Sequence, residues 1–515
     1  MSHKSSPENK KNPGIPIVLT ASRVEMSDFD LDPFLAFGAG LPLGFIPKSV
    51  LRKSIYPPLE ENEDGTVKFA PYGLRKVEAL LMKEFGQENV VTVHPSRLDQ
   101  FIGPRTNVIG ITSMDPLGQG FVSRTLSGIM GLHGKPTTRM EFEALLFSDI
   151  LKKSGARILV GGSGAWQLVE RGLSDFCRFD TVIVGEAERA VLDVFKRAFN
   201  GQNIERVIQM PFPNIEQIPT INNASIYGTV EITRGCDRGC HFCSPTMRKS
   251  ISFPIEHIME EVSLNASLGS KMIILQTDDL FLYQSNPDFR PNRRAVVDLI
   301  QRVAKTDGVK YCQIAHMSLP PAILDREIVR EIGPILAEKS TWEYQGKRCA
   351  SVEIGIETGS IRLVRKYMHG KSLPFSPDDW PDIIVQAISI LNDCQINPLA
   401  TLVLGLPGET EEDIHQTLKL LDRLKNAKLF YVPLLFVSEE DTVLDGFEHM
   451  NIKSLNRLHW EIMATCWRQN IERWEPALSL LVRMVCVLSC RIRTRALLSM
   501  YAISKSLERH GGKRS

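Results

Sequence analysis

Short apolar runs alternate with longer amphipathic runs along the N-terminal part of the chain. The short runs are rich in β-branched residues and predict strands, whereas the longer runs repeat apolar residues at helical spacing and predict helices. Strands that alternate with helices form a parallel sheet covered by helices on both faces, so this part is predicted to be a doubly wound α/β domain. The predicted strands lie at residues 15–20, 90–94, 108–113, 158–161 and 181–184, and the predicted helices lie at 73–85 and 139–153.

The same alternation begins again after a stretch rich in proline and asparagine. There the predicted strands lie at residues 230–233, 272–276, 311–316, 351–355 and 399–404. Beyond about residue 440 the pattern is helical and basic. The chain is therefore divided into a disordered start (1–14), a Rossmann-type α/β domain (15–210), a linker (211–226), a second α/β domain (227–439) and a helical basic C-terminal region (440–515).

The composition describes an ordinary globular protein with a substantial core. Hydrophobic residues make up 43% of the chain, and 61 basic residues balance 60 acidic ones, which leaves a net charge of +1. This balance gives no reason to expect nucleic acid as a partner. The polar start does not look like a signal peptide, and the ten cysteines form no regular disulfide framework. We therefore expect a cytoplasmic protein, and we expect the apolar segment 33–47, which prolines and glycines interrupt, to be a compact loop.

Three cysteines in one short loop carry the strongest chemical signal in the sequence. Cys236, Cys240 and Cys243 follow a predicted strand with the spacing CxxxCxxC. Three thiolates can bind three irons of a [4Fe–4S] cluster and leave the fourth iron open for a substrate or cofactor. The glycines of the loop let the backbone wrap closely around a bulky cluster. The alternatives are a structural zinc ion with His241 as fourth ligand, or simply buried thiols.

This loop, with its glycine and aromatic neighbours, resembles the signature loop of radical S-adenosylmethionine (SAM) enzymes. The resemblance implies a partial (β/α)6 barrel whose chemistry takes place at the carboxyl ends of its strands, with a [4Fe–4S] cluster and SAM as cofactors. An electron from the cluster would cleave SAM to a 5′-deoxyadenosyl radical, which removes hydrogen from an unactivated carbon. The resemblance also implies a reducing partner similar to flavodoxin or ferredoxin.

The resemblance extends to further residues at the predicted strand ends. Asp278 and Asp279 correspond to groups that bind the SAM amino nitrogen, although a solvated acidic pair is an equally simple interpretation. Glu357, in the segment Gly-Ile-Glu-Thr-Gly, corresponds to a ribose contact. Arg365 corresponds to a partner of the SAM carboxylate, with a helix-surface arginine as the alternative. Gly405 begins a Gly-Leu-Pro-Gly-Glu-Thr turn that lies near the adenine in such enzymes.

Three loops at the predicted carboxyl edge of the N-terminal sheet resemble those of the cobalamin (B12)-binding domains that precede many radical SAM domains. They contain Asp115, the pair Gly161 and Gly162, and Glu186. Ligands of open parallel sheets bind at this edge, and isolated turn glycines are the alternative interpretation. The histidine usually found two residues after the aspartate is replaced by leucine. Versions without this histidine exist, so the resemblance still implies a B12-binding-like fold, and it leaves open whether cobalamin is a further cofactor.

The C-terminal region leaves two interpretations open. Trp460, Trp467 and Trp474 recur every seven residues and would lie along one face of a continuous helix, either packed on the barrel or lining an apolar channel. Residues 477–503 mix apolar side chains with arginines, which suits contact with an anionic membrane surface rather than a membrane span. Five of the seven cysteines outside the loop are expected to be core or surface thiols, namely Cys312, Cys349, Cys466, Cys486 and Cys490.

These resemblances lead to one main hypothesis and two alternatives. The main hypothesis is a radical SAM enzyme that activates an inert C–H bond and transfers a methyl group with the help of cobalamin. The first alternative is C–C bond formation or ring closure on an apolar or membrane-lipid substrate without bound cobalamin. It follows from the resemblance of residues 70–81 to an archaeal group that includes lipid-modifying enzymes. The second alternative is a non-catalytic metal-binding protein that acts through its basic C-terminal region.

Overall fold

The computed structural model describes residues 12–31, 33–129, 134–169, 178–440 and 442–474. The contacts between Cα atoms divide the chain into two compact units. Among the described residues, those up to Gln119 and those between Gly134 and Ile226 form the N-terminal unit, and residues 120–129 and those from Tyr227 to Trp474 form the C-terminal unit. Most of the predicted disordered start lies outside the described residues.

The N-terminal unit is built on one parallel six-stranded sheet. The strand order is β2-β1-β3-β4-β5-β6, and each neighbouring pair is parallel. The prediction of a parallel sheet is confirmed, and the structure adds an edge strand that the sequence pattern did not reveal. The strands are β1 (Ile17–Ala21), β2 (Val90–Thr92), β3 (Val108–Thr112), β4 (Arg157–Gly161), β5 (Thr181–Val184) and β6 (Val207–Gln209).

The helices between these strands differ from the prediction at two places. The segment expected to be a loop contains a short helix, and the helix predicted at residues 139–153 is two helices separated at Ser148, where an extended residue followed by an aspartate starts a new helix. The helices are α1 (Pro33–Gly38), α2 (Lys48–Ser54), α3 (Tyr72–Phe85), α4 (Leu98–Phe101), α5 (Phe121–Ile129), α6 (Thr137–Leu146), α7 (Asp149–Lys153) and α8 (Val191–Phe199).

Helices cover both faces of this sheet. Successive strand residues point to opposite faces, so Val18 and Ile109 pack in one apolar layer beneath α6, whereas Ile17 and Val108 pack in another beneath α3 and α8. The doubly wound architecture is therefore confirmed. Helix α5 is different, because it belongs to the C-terminal unit, where the Thr125 hydroxyl accepts a hydrogen bond of 2.8 Å from the backbone N–H of Leu435.

The C-terminal unit contains a six-stranded partial barrel. Three parallel strands in the order β7-β10-β11 and three in the order β14-β15-β16 are joined by a single parallel bridge between His316 and Glu353. This arrangement confirms the predicted barrel and adds its last strand. The barrel strands are β7 (Val230–Glu231), β10 (Met272–Gln276), β11 (Tyr311–Ile314), β14 (Glu353–Glu357), β15 (Leu399–Leu404) and β16 (Phe430–Leu435), and the short strands outside them are β8 (Thr233–Arg234), β9 (Ile251–Ser252), β12 (Glu343–Tyr344) and β13 (Lys347–Arg348).

Besides α5, the helices of this unit follow the barrel strands, and the last of them ends at Trp474, the last residue that the structure describes. They are α9 (Ile255–Ser267), α10 (Arg293–Lys305), α11 (Pro320–Leu324), α12 (Arg326–Glu338), α13 (Ile361–Tyr367), α14 (Trp380–Asp393), α15 (Glu411–Arg423) and α16 (Arg457–Trp474).

The three tryptophans of the C-terminal region lie on one continuous helix, α16. The Trp474 indole N–H donates to the carbonyl of Leu429 at 3.0 Å, and the Trp467 ring lies 6.3 Å from the ring of Phe430. These contacts assign Trp467 and Trp474 to packing on the barrel. Residues 475–515, which include the predicted membrane-surface segment 477–503 with Cys486 and Cys490, lie outside the described residues. Within the part that is described, no helix is both long and apolar enough to span a bilayer.

Candidate functional site

The three predicted thiol ligands lie in one tightly folded loop beyond β8. Cys236 and Cys240 are 9% and 7% exposed, and Cys243 is partly buried. The loop folds onto itself, because the Thr246 hydroxyl donates to the carbonyls of both Cys240 and Cys243 at 2.9 and 2.8 Å. Gly239 adopts a φ of +68°, with no atom within 4 Å of the position that a Cβ would occupy. The space beside Gly239 is therefore open.

The electrostatics of this loop favour a bound cationic metal centre. Burial, together with the neighbouring Cys240 and Cys236 thiols, raises the pKa of Cys243 well above its usual value. Burial also raises the pKa of Cys236 to about 12. Metal binding removes the thiol protons and supplies the positive charge that such buried thiolates need. The residues present therefore fit an iron–sulfur cluster.

The zinc alternative does not gain support from the residues around the loop. No three His, Cys, Asp or Glu side chains in the described parts of the chain converge closely enough to bind one metal ion. A [4Fe–4S] cluster differs, because each thiolate binds a separate iron. The His241 ring packs edge-on against Tyr367, with 6.0 Å between the ring centroids.

Arg238 holds the cysteine loop to the rest of the barrel mouth. Its side chain is 4% exposed, and its Nε donates to the Asp279 carboxylate at 2.9 Å. The other guanidinium nitrogens donate to the Ser318 hydroxyl and to the backbone carbonyls of Gly370, Lys371 and Leu373. One buried cation thus joins the loop to the ends of β10 and β11 and to the segment after α13. The sequence did not identify this residue, because its partners lie up to 135 positions away.

The two predicted aspartates at the end of β10 have different roles. Asp279 is fully engaged, because besides Arg238 it accepts hydrogen bonds from the backbone N–H groups of Phe281 and Ser318. Asp278 accepts a hydrogen bond of 3.0 Å from the backbone N–H of Gly235, next to the first cysteine. Burial raises the pKa of Asp278, and the nearby His316 opposes that shift. Of this pair, Asp278 is therefore the carboxylate that retains acceptor capacity for a ligand.

Glu357 forms a buried ion pair with Lys371, a residue that the sequence did not identify. The Lys371 Nζ lies 2.5 Å from Glu357 Oε1, and the Thr401 hydroxyl donates to Glu357 Oε2 at 3.2 Å. Burial lowers the pKa of Lys371, but Glu357 and the Cys240 thiol raise it by a larger amount, so the net pKa lies above the usual value. The ammonium therefore stays charged beside the cysteine loop, where it can stabilise thiolates.

Glycine at position 355 makes room for this ion pair. A Cβ on Gly355 would overlap both Glu357 Oε1 and Lys371 Nζ. The strand is also irregular here, because Glu357 has a φ of +61° and the pairing with β15 shifts register between Gly355 and Glu357. This bulge turns the carboxylate into the barrel, a conformation that costs free energy for a residue other than glycine.

The remaining predicted residues of the barrel separate into an inner and an outer group. The backbone N–H of Gly405 donates to Glu409 Oε2 at 2.7 Å, and His459 Nε2 of α16 lies 2.8 Å from the same oxygen. This turn is therefore held by a buried acid and imidazole. Arg365 lies elsewhere, because it is 58% exposed, pairs with Asp378 and lines an open groove on the outside of the barrel.

The predicted cofactor edge of the N-terminal sheet is tightly packed against itself. A Cβ on Gly162 would lie 2.5 Å from the carbonyl oxygen of Ser113, and one on Gly164 would overlap the carbonyl of Met114. These glycines are needed because the two loops touch each other. A Cβ on Gly161 would meet only ordinary contacts, so glycine is not required there.

Asp115 acts within its own loop. Its Oδ1 accepts hydrogen bonds of 2.8 Å from the backbone N–H of Gln119 and from the side-chain amide of Gln167. Met114 beside it is 72% exposed, an unusual position for an apolar side chain. Glu186 is partly buried between β5 and α8. The loop offers no imidazole, and it presents one exposed apolar side chain at this edge.

Glu25 is a further residue at this edge that the sequence did not single out. Its Oε1 accepts hydrogen bonds from the Ser113 hydroxyl at 2.9 Å and from the backbone N–H of Met114 at 2.7 Å. Its Oε2 is enclosed and has no hydrogen-bond partner in the described structure. Burial raises the pKa of Glu25 to about 7 despite these two hydrogen bonds.

Comparison with known proteins identifies the barrel. The family profile described as "Radical SAM superfamily" matches residues 230–421. A tRNA-2-methylthio-N(6)-dimethylallyladenosine synthase from a Nitratiruptor species is 23% identical over 344 residues, which cover 64% of this chain and 74% of that protein. The ribosomal protein uS12 methylthiotransferase RimO from Desulforudis audaxviator is 26% identical over 289 residues, covering 55% of this chain and 59% of that protein. The second alignment thus spans less than two thirds of its relative.

One solved structure has a similar fold over most of the chain. The radical SAM methyltransferase TsrM from Kitasatospora setae, determined with cobalamin and a [4Fe–4S] cluster bound, matches with a TM-score of 0.55 and 12% identity. The match covers 84% of this chain and 77% of TsrM. A radical SAM domain implies a [4Fe–4S] cluster and SAM as its cofactors, and it needs an electron donor. The thiol loop, the barrel and the family match together lead to one conclusion: the chain carries a radical SAM domain at residues 230–421.

Proposed function

We propose that the protein is an enzyme that cleaves SAM reductively and uses the 5′-deoxyadenosyl radical to remove hydrogen from an unactivated carbon. The observation that carries this proposal is the three-thiol loop, which Arg238 fixes at the barrel mouth with the Lys371 ammonium beside it. The cluster would be held by Cys236, Cys240 and Cys243 and would supply the electron for the cleavage.

Each residue around the loop has a distinct part in this proposal. Asp278 would accept a hydrogen bond from the SAM ammonium, because Asp279 is already engaged by Arg238. Lys371 would offset negative charge on the thiolates and on a bound carboxylate. Glu357 would hold Lys371 in place, and the turn at Gly405 would contact the adenine. Arg365 has no part, because it lies on the outside of the barrel.

The test is anaerobic reconstitution of the full chain with iron and sulfide. We expect about four irons and four acid-labile sulfides per chain, and formation of 5′-deoxyadenosine when SAM and a reductant are added. A triple variant, Cys236→Ala with Cys240→Ala and Cys243→Ala, should lose both. Stoichiometric zinc without sulfide in the wild type would contradict the proposal and favour the non-catalytic metal-binding alternative.

We further propose methyl transfer, with cobalamin bound at the carboxyl edge of the N-terminal sheet. Support comes from the shared fold with TsrM, whose structure contains cobalamin and a [4Fe–4S] cluster, and from the exposed Met114 at that edge. Bound cobalamin would supply the methyl group. Asp115 and the loop glycines would set the conformation of the loops at that edge. Glu25 would hold residues 113 and 114 in position through its hydrogen bonds with them.

Corrin retention tests this second proposal. The protein would be loaded with hydroxocobalamin under anaerobic conditions and desalted, and its corrin absorbance would be compared with its iron content. Near-stoichiometric corrin supports methyl transfer. A loaded cluster without corrin would favour C–C bond formation or ring closure. The matched relatives are named for modification of tRNA and of a ribosomal protein, so polar substrates need testing beside lipids. We also propose a flavodoxin- or ferredoxin-like electron donor and a cytoplasmic location.

A further inference from the structure

Several inner-facing residues of the partial barrel are partly exposed. On β10, β11 and β14, fully buried residues that face the surrounding helices alternate with partly exposed residues on the inner face. Ile354 and Ile356 are 0% exposed, whereas Glu353, in the same strand, keeps 36% of its side-chain area exposed. In a filled barrel the inner residues would be buried as well. These inner positions are therefore accessible to a ligand.

Several of the partly exposed inner positions carry polar side chains, although Ile274 on β10 is apolar. The inner positions of β10 and β11 include Gln276 and Gln313, both partly exposed. Where the two halves of the barrel meet, His316 Nε2 lies 3.2 Å from Glu353 Oε2. Two amides and an ion pair on the inner face suit hydrogen bonding rather than contact with a hydrocarbon chain, because burying such groups against hydrocarbon leaves them without partners.

His316 leaves part of its side chain exposed on this inner face. Its side chain is 41% exposed, yet Nδ1 is enclosed and Nε2 is occupied by Glu353. The exposed area therefore belongs to carbon atoms of the side chain. Burial lowers the pKa of His316, but Glu353 and Asp278 raise it more, so the net pKa lies above the usual value. An imidazole ring can also stack on the face of another aromatic ring.

Glu353 supplies a hydrogen-bond acceptor next to the His316 ring. Its Oε2 contacts His316, and the carboxylate as a whole has about four acceptor sites. A group that stacks on His316 would bring its edge close to this carboxylate. An N–H at that edge would form a charge-assisted hydrogen bond, which is stronger than a neutral one.

We propose that His316 and Glu353 form a recognition site for a planar nitrogen heterocycle, which stacks on His316 and donates an N–H to Glu353. This inference rests on the proposed function and specifies its substrate class. The ring can belong to an indole side chain or to a nucleobase with an exocyclic amino group, since both are planar and carry an N–H donor. The site lies on the same face of β14 as Gly355, beneath the Glu357–Lys371 ion pair.

The test measures binding of L-tryptophan and of adenosine to the reconstituted full chain by titration calorimetry, with SAM present at saturation so that the SAM adenine is not the ligand observed. We expect saturable binding of one of these probes, and its identity tells the two ring sources apart. The variant Glu353→Gln should weaken that binding about tenfold or more, since it removes the charge from the acceptor but keeps its shape. Glu343→Gln, on the exposed strand β12, is the matched control and should bind like the wild type.

A second pair of variants tests the stacking directly. His316→Phe keeps a flat ring and should retain more binding than His316→Leu, which does not. Three results would each overturn the inference. They are failure of both probes to bind, equal binding by Glu353→Gln and the wild type, and equal binding by the Phe and Leu variants. Formation of 5′-deoxyadenosine by the wild type distinguishes failure of the recognition site from failure of the proposed function. If it forms while the probes fail, only the recognition site is refuted, and if it does not form, the proposed function itself fails.

Discussion

Replacing Arg238 with methionine should destabilise the C-terminal unit more than any surface change of the same kind. Methionine has a similar length but no charge, so Arg238→Met would leave the Asp279 carboxylate, 2% exposed, without its cation. Removing one partner of a buried ion pair costs about 3–5 kcal/mol, because the remaining charge stays buried. The same change also removes the hydrogen bonds that tie the cysteine loop to residues 370, 371 and 373.

A matched arginine elsewhere in the chain provides the control. Arg365 also pairs with an aspartate, but it is 58% exposed, and exposed ion pairs contribute about 0–1 kcal/mol. Arg365→Met should therefore lower the free energy of unfolding by less than about 1 kcal/mol. A double variant, Arg238→Met with Asp279→Asn, should recover part of the loss, because the remaining side chain is no longer charged.

Urea unfolding followed by tryptophan fluorescence measures these differences in the correct unit. The chain has six tryptophans, and all except Trp166 lie in the C-terminal unit. Iron content after reconstitution gives a second readout, and Arg238→Met should retain less iron than Arg365→Met. The role assigned to Arg238 would be refuted if Arg238→Met unfolded within about 1 kcal/mol of the wild type, or if both arginine variants lost stability equally.

Three further changes test other parts of the structure. Wild-type stability should fall as pH rises from about 4.5 to about 7, because Glu25 ionises at a lower pH in the unfolded chain than in the folded one. The free energy of unfolding of Glu25→Gln should equal that of the wild type near pH 4 and exceed it by up to about 3 kcal/mol at pH 8. Equal free energies of the two proteins at every pH, measured by denaturant unfolding, would exclude this reasoning. Gly355→Ala should separate Lys371 from Glu357 and lower both iron retention and 5′-deoxyadenosine yield, whereas unchanged values for both would show that the ion pair tolerates displacement. Burial raises the pKa of Asp413, but hydrogen bonds from neighbouring side chains lower it by more, so the net pKa lies below its usual range. Asp413→Asn should therefore lower the free energy of unfolding by about 1–3 kcal/mol at pH 7. Thermal unfolding should show that this loss becomes smaller below about pH 4.

The sequence by itself determined the local elements and the type of chemistry. Period-2 and period-3.6 patterns placed most strands within a few residues, because each element is specified by its own apolar face. The spacing of Cys236, Cys240 and Cys243 indicated the cluster for a similar reason, since three ligands within eight residues form one loop whatever surrounds it. The errors in the element predictions were local too, such as the helix that the structure divides at Ser148.

Only the tertiary structure decided which side chains face the barrel interior and which partners they have. Asp278 and Asp279 are neighbours in sequence, yet only the fold shows that Arg238 engages the second and leaves the first available. Lys371 and the His316–Glu353 pair had no signal in the sequence, because their partners lie 14 to 37 residues away on other elements. Apolar periodicity reports whether a position is buried but not which polar group it meets, and that pairing depends on how the strands close into a barrel.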